Sequence, residues 1–332
     1  MHSLFLGVDG GGTKTDFVLV DGEGRVVATA EGPSSYHPQV GIAGVREVLA
    51  GGLASLFRQA AIDSGAITYG FFGLPAYGED SEAQLSLDAM PAPLLGHDRY
   101  RCGNDMICGW SGSLAGADGI NIVAGTGSIG YGERRGRTAR AGGWGELFGD
   151  EGSAYWVAVQ GLNAFTRMSD GRLPVGPLYT AFKTSLGLRE DLELCAKLTH
   201  ANSRDSIAAL SQLVARAAHA GDSSAIGIFT RAAQELAGVV AAVRQRLKFE
   251  RDEPVPVSYS GGLFNAEAVI LEPLKHELEA MSGNYRLQPP IFPPSIGAAI
   301  YAARLAGQPL CVAALHALSD RNAPVAGRDA SR

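Results

Sequence analysis

The chain has 332 residues, of which 46% are hydrophobic and 19% are charged, and its formal net charge is −6. The length allows two domains with separate cores, and the composition is that of a globular protein. The acidic balance argues against a nucleic-acid-binding protein, and no apolar run predicts a membrane span or a signal-peptide core. We therefore expect no nucleic-acid or membrane partner and a cytoplasmic location.

Residues 4–20 predict a strand–turn–strand hairpin with a glycine-rich tip. A short apolar run ends at Asp9, three glycines follow at 10–12, and Thr-Lys-Thr at 13–15 leads into a second strand-like run. Consecutive backbone N–H groups at such a turn bind anions, and the carboxylate suits a hydrated Mg²⁺ ion on a phosphate. The Walker loop and the dinucleotide fingerprint are excluded because both need a helix after the glycines. An ordinary glycine-rich hairpin remains the alternative.

The first half of the chain continues as an α/β pattern. Residues 26–31 predict a third strand, residues 42–63 a helix with one apolar face, and residues 67–74 a buried strand. The polar loop at 32–39 lies between the sheet and the long helix. It is either a plain connector or a contact for substrate.

Asp105 ends a short strand predicted at residues 100–105. In open α/β sheets the ligand cleft lies outside the carboxyl ends of the strands, so this carboxylate is placed for chemistry. A structural aspartate would instead cap the helix that is predicted to begin near Met106. The spacing leaves both roles open.

The pattern of the first hairpin begins again near residue 118. A strand at 120–124, a Gly-Thr-Gly-Ser tip at 125–128 and a returning strand at 129–133 precede a third short strand at 136–140. A duplicated hairpin with a small-residue tip is far more specific than either copy alone. Two such turns facing one another would hold a polyphosphate from both sides of a cleft.

The glycine-rich segment at 141–156 predicts a ligand loop that precedes a helix. Four glycines surround Trp144, and Gly-Asp-Glu-Gly at 149–152 opens the helix. Helix N-terminal amides beside glycines favour anionic or polyhydroxyl ligands. The alternative is a tight turn in which Asp150 is the N-cap of the helix.

The rest of the chain contains fewer chemical signals. Residues 166–255 are predicted to be a helical scaffold with a surface suited to a homodimer, and a strand at 256–260 leads into Gly-Gly at 261–262. That turn suits a nucleoside, because only glycine lets a flat base lie against the backbone. Small residues at 295–303 predict a tightly packed helix. The four cysteines show neither metal-binding nor disulfide spacing.

These motifs resemble those of the actin, heat-shock chaperone and sugar kinase superfamily. Within it they resemble the N-acetylglucosamine kinase branch of the BadF/BadG/BcrA/BcrD ATPase family, over most of residues 4–165 and again at 256–303. The most specific part runs from Gly-Trp-Gly at 143–145 to Ala-Tyr-Trp at 154–156. The resemblance implies an α/β fold of two ribonuclease H-like (actin-like ATPase) domains, with a duplicated mixed sheet flanked by helices and an interdomain cleft.

The resemblance also implies domain boundaries. The N-terminal domain would comprise residues 1–117, joined by a C-terminal helix at 295–306, and the C-terminal domain would comprise residues 118–294. Residues 313–332 would form a frayed tail.

The implied activity is an ATP- and Mg²⁺-dependent transfer of phosphate to a hydroxyl, the 6-hydroxyl, of an amino sugar. Asp105 would be the general base, and Asp9 would hold Mg²⁺ through water. Contacts to ATP would come from Gly11, Gly12, Thr13, Lys14, Gly125, Thr126, Gly127, Ser128, Gly261 and Gly262. Contacts to the sugar would come from Tyr36, His37, Asn104, Asp105, Gly143, Trp144 and Asp150.

One departure from the family pattern bears on the substrate. N-acetylglucosamine kinases have an Asn before the histidine of the segment at 34–37, and this chain has Tyr36. A phenol cannot reproduce both the donor and the acceptor of an amide, so N-acetylglucosamine and glucosamine both remain candidate substrates. A nucleotide-driven ATPase or activase that acts on a protein partner is the competing hypothesis.

Overall fold

The computed structural model describes residues 3–199, 203–281 and 284–322. The chain divides into two compact units, one formed by Met1–Ala117 with Pro290–Arg332 and the other by Asp118–Pro289. Each unit contains one five-stranded sheet.

Each unit begins with three consecutive strands, and helices follow them. The first half of the chain contains β1 Leu4–Gly10, β2 Lys14–Asp21, β3 Val26–Pro33, α1 His37–Ala60, β4 Tyr69–Leu74, α2 Ser81–Ala89, α3 Pro91–Leu95, β5 Tyr100–Asn104, α4 Met106–Ser113, β6 Gly119–Ala124, β7 Ser128–Arg134 and β8 Arg137–Gly142. The second half contains α5 Ala154–Ser169, α6 Pro177–Ser185, α7 Glu193–Thr199, α8 Arg204–Ala209, α9 Ser211–His219, α10 Ser223–Leu247, β9 Val255–Ser260, α11 Ala268–Ala280, β10 Tyr285–Gln288, α12 Pro294–Leu305 and α13 Val312–Asn322.

The sheet of the first unit has the strand order β3-β2-β1-β4-β5. The hairpin strands β1 and β2 and the next strand β3 are antiparallel, whereas β1, β4 and β5 are parallel. Asp9 lies opposite Gly73, and Gly73 lies opposite Gly103. This register brings the carboxyl ends of three parallel strands to one edge of the sheet.

Helices cover the sheet of the first unit. The apolar side chains of α1, including Val45, Leu49 and Leu53, belong to the same buried cluster as Leu6 and Val8 of β1. Helices α4 and α12 pack closely on one another, and α12 also packs on β1. A Cβ on Gly7 of β1 would lie 2.5 Å from the backbone of α12, so glycine permits this close approach.

The sheet of the second unit repeats the design, with the strand order β10-β9-β6-β7-β8. Strands β6, β7 and β8 are antiparallel, whereas β6, β9 and β10 are parallel. The long helix α10 contributes Leu236, Val240 and Val243 to the core, where they lie with Ile120 and Ile122 of β6. The strand–turn–strand repeat that the sequence predicts is therefore present.

Two boundaries differ from the sequence expectation. The loop predicted at 32–39 is shorter, because β3 continues to Pro33 and α1 begins at His37, with a kink at Gly41 where φ is +71°. Proline in the first turn allows the early start, since its missing N–H needs no helical partner. Helix α13 forms within the stretch predicted to be a frayed tail, and its Ala314 and Leu318, four residues apart, are buried. Residues 323–332 lie outside the described residues.

Helices α1 and α10 are long and apolar enough to span a bilayer by length and composition alone, which the sequence expectation did not include. The apolar side chains of both helices lie within the cores of their units. A buried core helix of a globular domain has the same length and composition.

Candidate functional site

Two carboxylates lie at the carboxyl edge of the first sheet. Asp9 is the penultimate residue of β1, and Asp105 directly follows β5. Both side chains are half-buried. Desolvation raises the pKa of Asp9 well above its ordinary value, and repulsion from Asp105 and Asp16 adds to the effect. Desolvation also raises the pKa of Asp105, to about 6, with a further contribution from Glu79.

Asp105 stands at the N-cap position of α4, but its carboxylate does not cap the helix. Within the described structure its side chain makes no capping hydrogen bond, and the N–H of Met106 donates to Asn104 Oδ1 at 3.1 Å. Asn104 also donates from Nδ2 to the carbonyl oxygen of Tyr77 at 3.2 Å. Both ends of the Asn104 amide are therefore engaged within the first unit, where they fix the strand end that presents Asp105.

The tip of the first hairpin is exposed at Gly12, Thr13 and Lys14. Its base is tied to the segment after β3, because the Gly11 carbonyl accepts from Ser34 Oγ at 3.1 Å and from the Ser35 N–H at 3.3 Å. Lys14 Nζ lies 3.0 Å from Asp16 and 3.1 Å from Glu31. These exposed pairs are weak, so the lysine is available to a stronger anion such as a phosphate.

Tyr36 and His37 follow that segment directly and are half-buried at the start of α1. Their rings meet edge to face, with centroids 6.5 Å apart. His37 Nδ1 and Ser35 Oγ are buried and have no hydrogen-bond partner among the described residues. Unpaired buried polar atoms of this kind indicate a ligand or water that completes the site.

The tip of the second hairpin, Gly125 to Ser128, is held by the glycine-rich loop. Ser128 Oγ donates to the carbonyl oxygen of Glu151 at 2.7 Å, and the Gly143 N–H donates to the Ser128 carbonyl at 2.9 Å. The N–H of Ala154, the first residue of α5, donates to the Gly125 carbonyl at 2.8 Å. The predicted phosphate turn and the predicted sugar loop are therefore one connected structure in the second unit.

The predicted nucleoside turn lies beside the same hairpin. Strand β9 runs parallel to β6, with Ser260 opposite Val123, so Gly261 reaches the tip of the hairpin. Gly261 has a φ of +104°, and a Cβ there would lie 2.7 Å from the Gly125 nitrogen. Gly262 is exposed and has open space beside it. The Gly261 position requires glycine for backbone conformation and for close approach.

The sugar loop contains an exposed apolar stretch and one buried acid. Trp144 is 68% exposed, and the guanidinium of Arg140 lies 5.6 Å from the centre of its ring. Asp150 is only 3% exposed and has a left-handed φ of +56°. It is not the N-cap of α5, because that position belongs to Ser153, whose hydroxyl accepts from the Trp156 N–H at 3.1 Å. Asp150 pairs instead with Arg204.

Arg204 and Asp205 are residues that sequence reasoning missed. They belong to a region predicted only as helical scaffold, yet Arg204 contacts Asp150, and Asp205 accepts a hydrogen bond from Thr126 at 2.7 Å. Arg204 is 54 positions from Asp150, and no local pattern marks an arginine that returns to a distant loop.

The structure brings the predicted residues together in two sets. The first unit contains the carboxylates Asp9 and Asp105, the glycine tip and the segment with Tyr36 and His37. The second unit contains the Gly125 hairpin, the Gly261 turn and the loop from Gly143 to Asp150.

Among the described residues no group of three or more His, Cys, Asp or Glu side chains could hold an ion. A hydrated Mg²⁺ ion fits the carboxylates of the first unit without such a group, because it keeps most of its waters and needs one or two carboxylates besides the phosphates. A divalent cation there would also relieve the repulsion between Asp9 and Asp105.

The four cysteines, which all lie within the described residues, are unpaired. Cys102 and Cys108 are buried, whereas Cys195 and Cys311 are exposed.

Two mixed five-stranded sheets, each with a glycine-rich hairpin, define a protein of the ribonuclease H-like, actin-like ATPase class. This confirms the predicted fold class. The chain belongs to the BadF/BadG/BcrA/BcrD ATPase family, whose sequence profile matches residues 6–302. The family resemblance seen in the motifs is thereby confirmed.

Similar proteins are amino-sugar kinases. The chain is 30% identical over 310 residues to an N-acetyl-D-glucosamine kinase of Dictyostelium discoideum, covering 90% of this chain and 97% of the relative. It is 29% identical over 266 residues to an N-acetylmuramic acid/N-acetylglucosamine kinase of Clostridium acetobutylicum, covering 78% and 85%. A solved structure assigned as an N-acetylglucosamine kinase of Chromobacterium violaceum is 27% identical, has a TM-score of 0.71 and covers 90% and 98%. These relatives support the sequence prediction of an amino-sugar kinase.

Proposed function

We propose that this protein transfers the γ-phosphate of ATP to a hydroxyl, the 6-hydroxyl, of an amino sugar, either N-acetylglucosamine or glucosamine. The observation that carries the proposal is the carboxylate of Asp105, which lies at the carboxyl edge of the sheet beside Asp9 and does not cap α4. A cytoplasmic location and a homodimer formed through the helical part of the second unit belong to the same proposal.

Asp105 acts as the general base in this proposal. A base works best when its pKa lies near the working pH, and the pKa of Asp105 is raised to about 6. At neutral pH the carboxylate is therefore largely ionised but more basic than an ordinary aspartate. It accepts the proton of the sugar hydroxyl as that oxygen attacks the γ-phosphate.

Phosphoryl transfer depends mainly on positioning and charge neutralisation. Asp9 would hold hydrated Mg²⁺, and the ion would supply charge neutralisation to the phosphates. Phosphate oxygens are bound by the tips of the two hairpins, Gly11, Gly12, Thr13 and Lys14 in the first and Gly125, Thr126, Gly127 and Ser128 in the second. Gly261 and Gly262 leave room for adenosine.

Each unit contains residues that this proposal assigns to sugar contacts. The first unit supplies Tyr36, His37 and the positioning amide of Asn104. The second supplies the backbone at Gly143, the ring of Trp144 and the carboxylate of Asp150. An exposed indole is suited to the apolar face of a sugar ring, and a carboxylate accepts hydrogen bonds from its hydroxyls.

A panel of free sugars tests the proposed function. We expect glucosamine or N-acetylglucosamine to raise ATP consumption well above the rate with ATP alone, with formation of a sugar monophosphate measured by mass spectrometry. Glucose and a sugar blocked at its 6-hydroxyl serve as controls. ATP consumption that no sugar increases would reject the kinase and favour an ATPase that acts on a protein partner.

Tyr36 is expected to set the choice between amino sugars. The substitution Tyr36→Asn restores an amide that both donates and accepts, so we expect the ratio of kcat/KM for N-acetylglucosamine over glucosamine to rise about tenfold, the value of one hydrogen bond. Tyr36→Phe, which removes only the hydroxyl, is the matched control and should not produce this rise. If the ratio of kcat/KM for the two sugars is unchanged in Tyr36→Asn, residue 36 does not contact the acetamido group.

A further inference from the structure

Arg204, the first residue of α8, contacts the loop that ends at Asp150. Its guanidinium donates to Asp150 Oδ2, and its Nε lies 3.1 Å from Glu146 Oε2. The Arg204 side chain is 38% exposed, Glu146 is 39% exposed and Asp150 is 3% exposed. One cation therefore joins a buried carboxylate to a surface carboxylate of the same loop.

The same turn of α8 also contacts the phosphate hairpin. Asp205 accepts a hydrogen bond from the Thr126 hydroxyl at 2.7 Å. A Cβ on Gly127 would lie 2.6 Å from Arg204 Nη2 and 2.7 Å from Asp150 Oδ2. The ion pair is therefore packed directly against the tip of the hairpin.

We propose that Arg204 is a positioning residue for sugar binding, which holds the Asp150 carboxylate in place beside the phosphate hairpin. The proposal rests on the proposed kinase function, because it assigns a partner to the sugar contact of that function. It places a further functional residue in a region whose sequence predicts only scaffold.

The charges explain why Asp150 needs this partner. Burial raises the pKa of Asp150, and the neighbouring carboxylate of Glu146 raises it further, whereas Arg204 lowers it. A carboxylate beside a phosphate-binding turn is also repelled by the phosphates of ATP. The guanidinium offsets part of both effects, although the pKa of Asp150 stays above its ordinary value, and its contact with Asp150 Oδ2 restrains the carboxylate.

The backbone of Asp150 gives a second reason for a partner. Asp150 adopts a left-handed conformation that is uncommon for a residue other than glycine. Such a conformation persists only where surrounding contacts maintain it. We therefore expect the loss of Arg204 to free Asp150 to move or to take up a proton, and either change removes an acceptor for the sugar hydroxyls.

The substitution Arg204→Ala tests the inference by calorimetric sugar binding and by steady-state kinetics. We expect the Kd and the KM of the sugar to rise about 10- to 100-fold, while kcat at saturating sugar falls less than the affinity does. Added ethylguanidinium should restore part of the sugar affinity, and Arg204→Lys, which retains charge without the planar fork, should be intermediate. The melting temperature shows whether the fold is kept.

Arg172→Ala is the matched control. Arg172 pairs with Asp170 in the same unit, and both side chains are well exposed. This variant should keep wild-type sugar affinity and should not respond to ethylguanidinium. Equal sugar affinity in wild type and Arg204→Ala, or a loss that ethylguanidinium and Arg204→Lys both fail to relieve, overturns the positioning role. A wild-type protein that phosphorylates no sugar overturns the proposed function itself.

Discussion

Replacing Asp105 by Asn is expected to lower kcat for sugar phosphorylation by about 10²- to 10⁴-fold, the usual contribution of a general base. The amide keeps the size of the side chain but cannot accept a proton at neutral pH. Binding of a non-hydrolysable ATP analogue should change little, because the proposed nucleotide contacts lie elsewhere. Rapid-quench or coupled assays give kcat, and calorimetry gives the affinity for the analogue.

The wild-type enzyme should also lose activity as the pH falls through about 6, the pKa to which desolvation raises Asp105. Below that pH the base is protonated, so kcat/KM should fall about tenfold per pH unit. The residual activity of Asp105→Asn should lack this limb of the profile. A variant that retains near-wild-type kcat would show that Asp105 is structural.

The same substitution should make the protein more stable at pH 8. The pKa of Asp105 in the folded state is raised from 3.8 to about 6, so the fold favours the protonated form. The Asp105 carboxyl group therefore makes its full contribution to the free energy of unfolding below pH 3.8, and this contribution is lost as the pH rises through about 6. Asparagine does not ionise, so the variant avoids this loss of stability, which is about 2 kcal/mol after allowance for partial solvent exposure.

Thermal unfolding of wild type and Asp105→Asn at pH 8 and pH 4 measures the stability difference, which should nearly vanish at the lower pH. Asp63→Asn, at an exposed position of the same unit, is the control and should change neither kcat nor the melting temperature at pH 8. Higher stability and lower activity of Asp105→Asn than of wild type would indicate that the carboxylate serves catalysis at the expense of stability.

The hairpins at Asp9 and Gly125 were predictable because their signals are local. Each combines a short β-branched run, a glycine-rich tip and a returning run within about twenty residues, and the repeat of the pattern predicts the duplicated sheet. The strand that ends before Asp105 is predictable for the same reason. These elements carry the nucleotide part of the proposed site.

The remaining parts of the site depend on tertiary contacts that no local pattern encodes. The pairing of Asp150 with Arg204 joins a residue of the loop before α5 to the first residue of α8. As helix caps, Asp105 and Asp150 would have the same sequence spacing as in a functional role. The structure separates these alternatives, because the Met106 N–H donates to Asn104 Oδ1 and the N-cap of α5 is Ser153. Helix α13 was also not predictable from local sequence, because its buried apolar residues lie in a stretch whose composition suggests a tail.

The close packing of α4 on α12 in the first unit leads to the largest expected effect on stability. A Cβ on Gly297 of α12 would overlap the Cys108 carbonyl oxygen and the Gly112 nitrogen of α4. Both obstacles are backbone atoms, which cannot move aside by changing rotamer. We therefore expect Gly297→Ala to lower the free energy of unfolding by about 3 kcal/mol or more, as measured by urea denaturation.

The matched control is Gly51→Ala in the interior of α1. Gly51 is exposed, and a Cβ there has no atom within 4 Å in the described part of the chain. Alanine should stabilise this helix by about 0.5–1 kcal/mol, so the two glycine-to-alanine changes should have opposite signs. Since α4 directly follows Asp105, Gly297→Ala should also lower kcat by displacing the start of that helix. A Gly297→Ala protein with wild-type stability and activity would show that α4 and α12 can move apart without loss of folding free energy or of kcat.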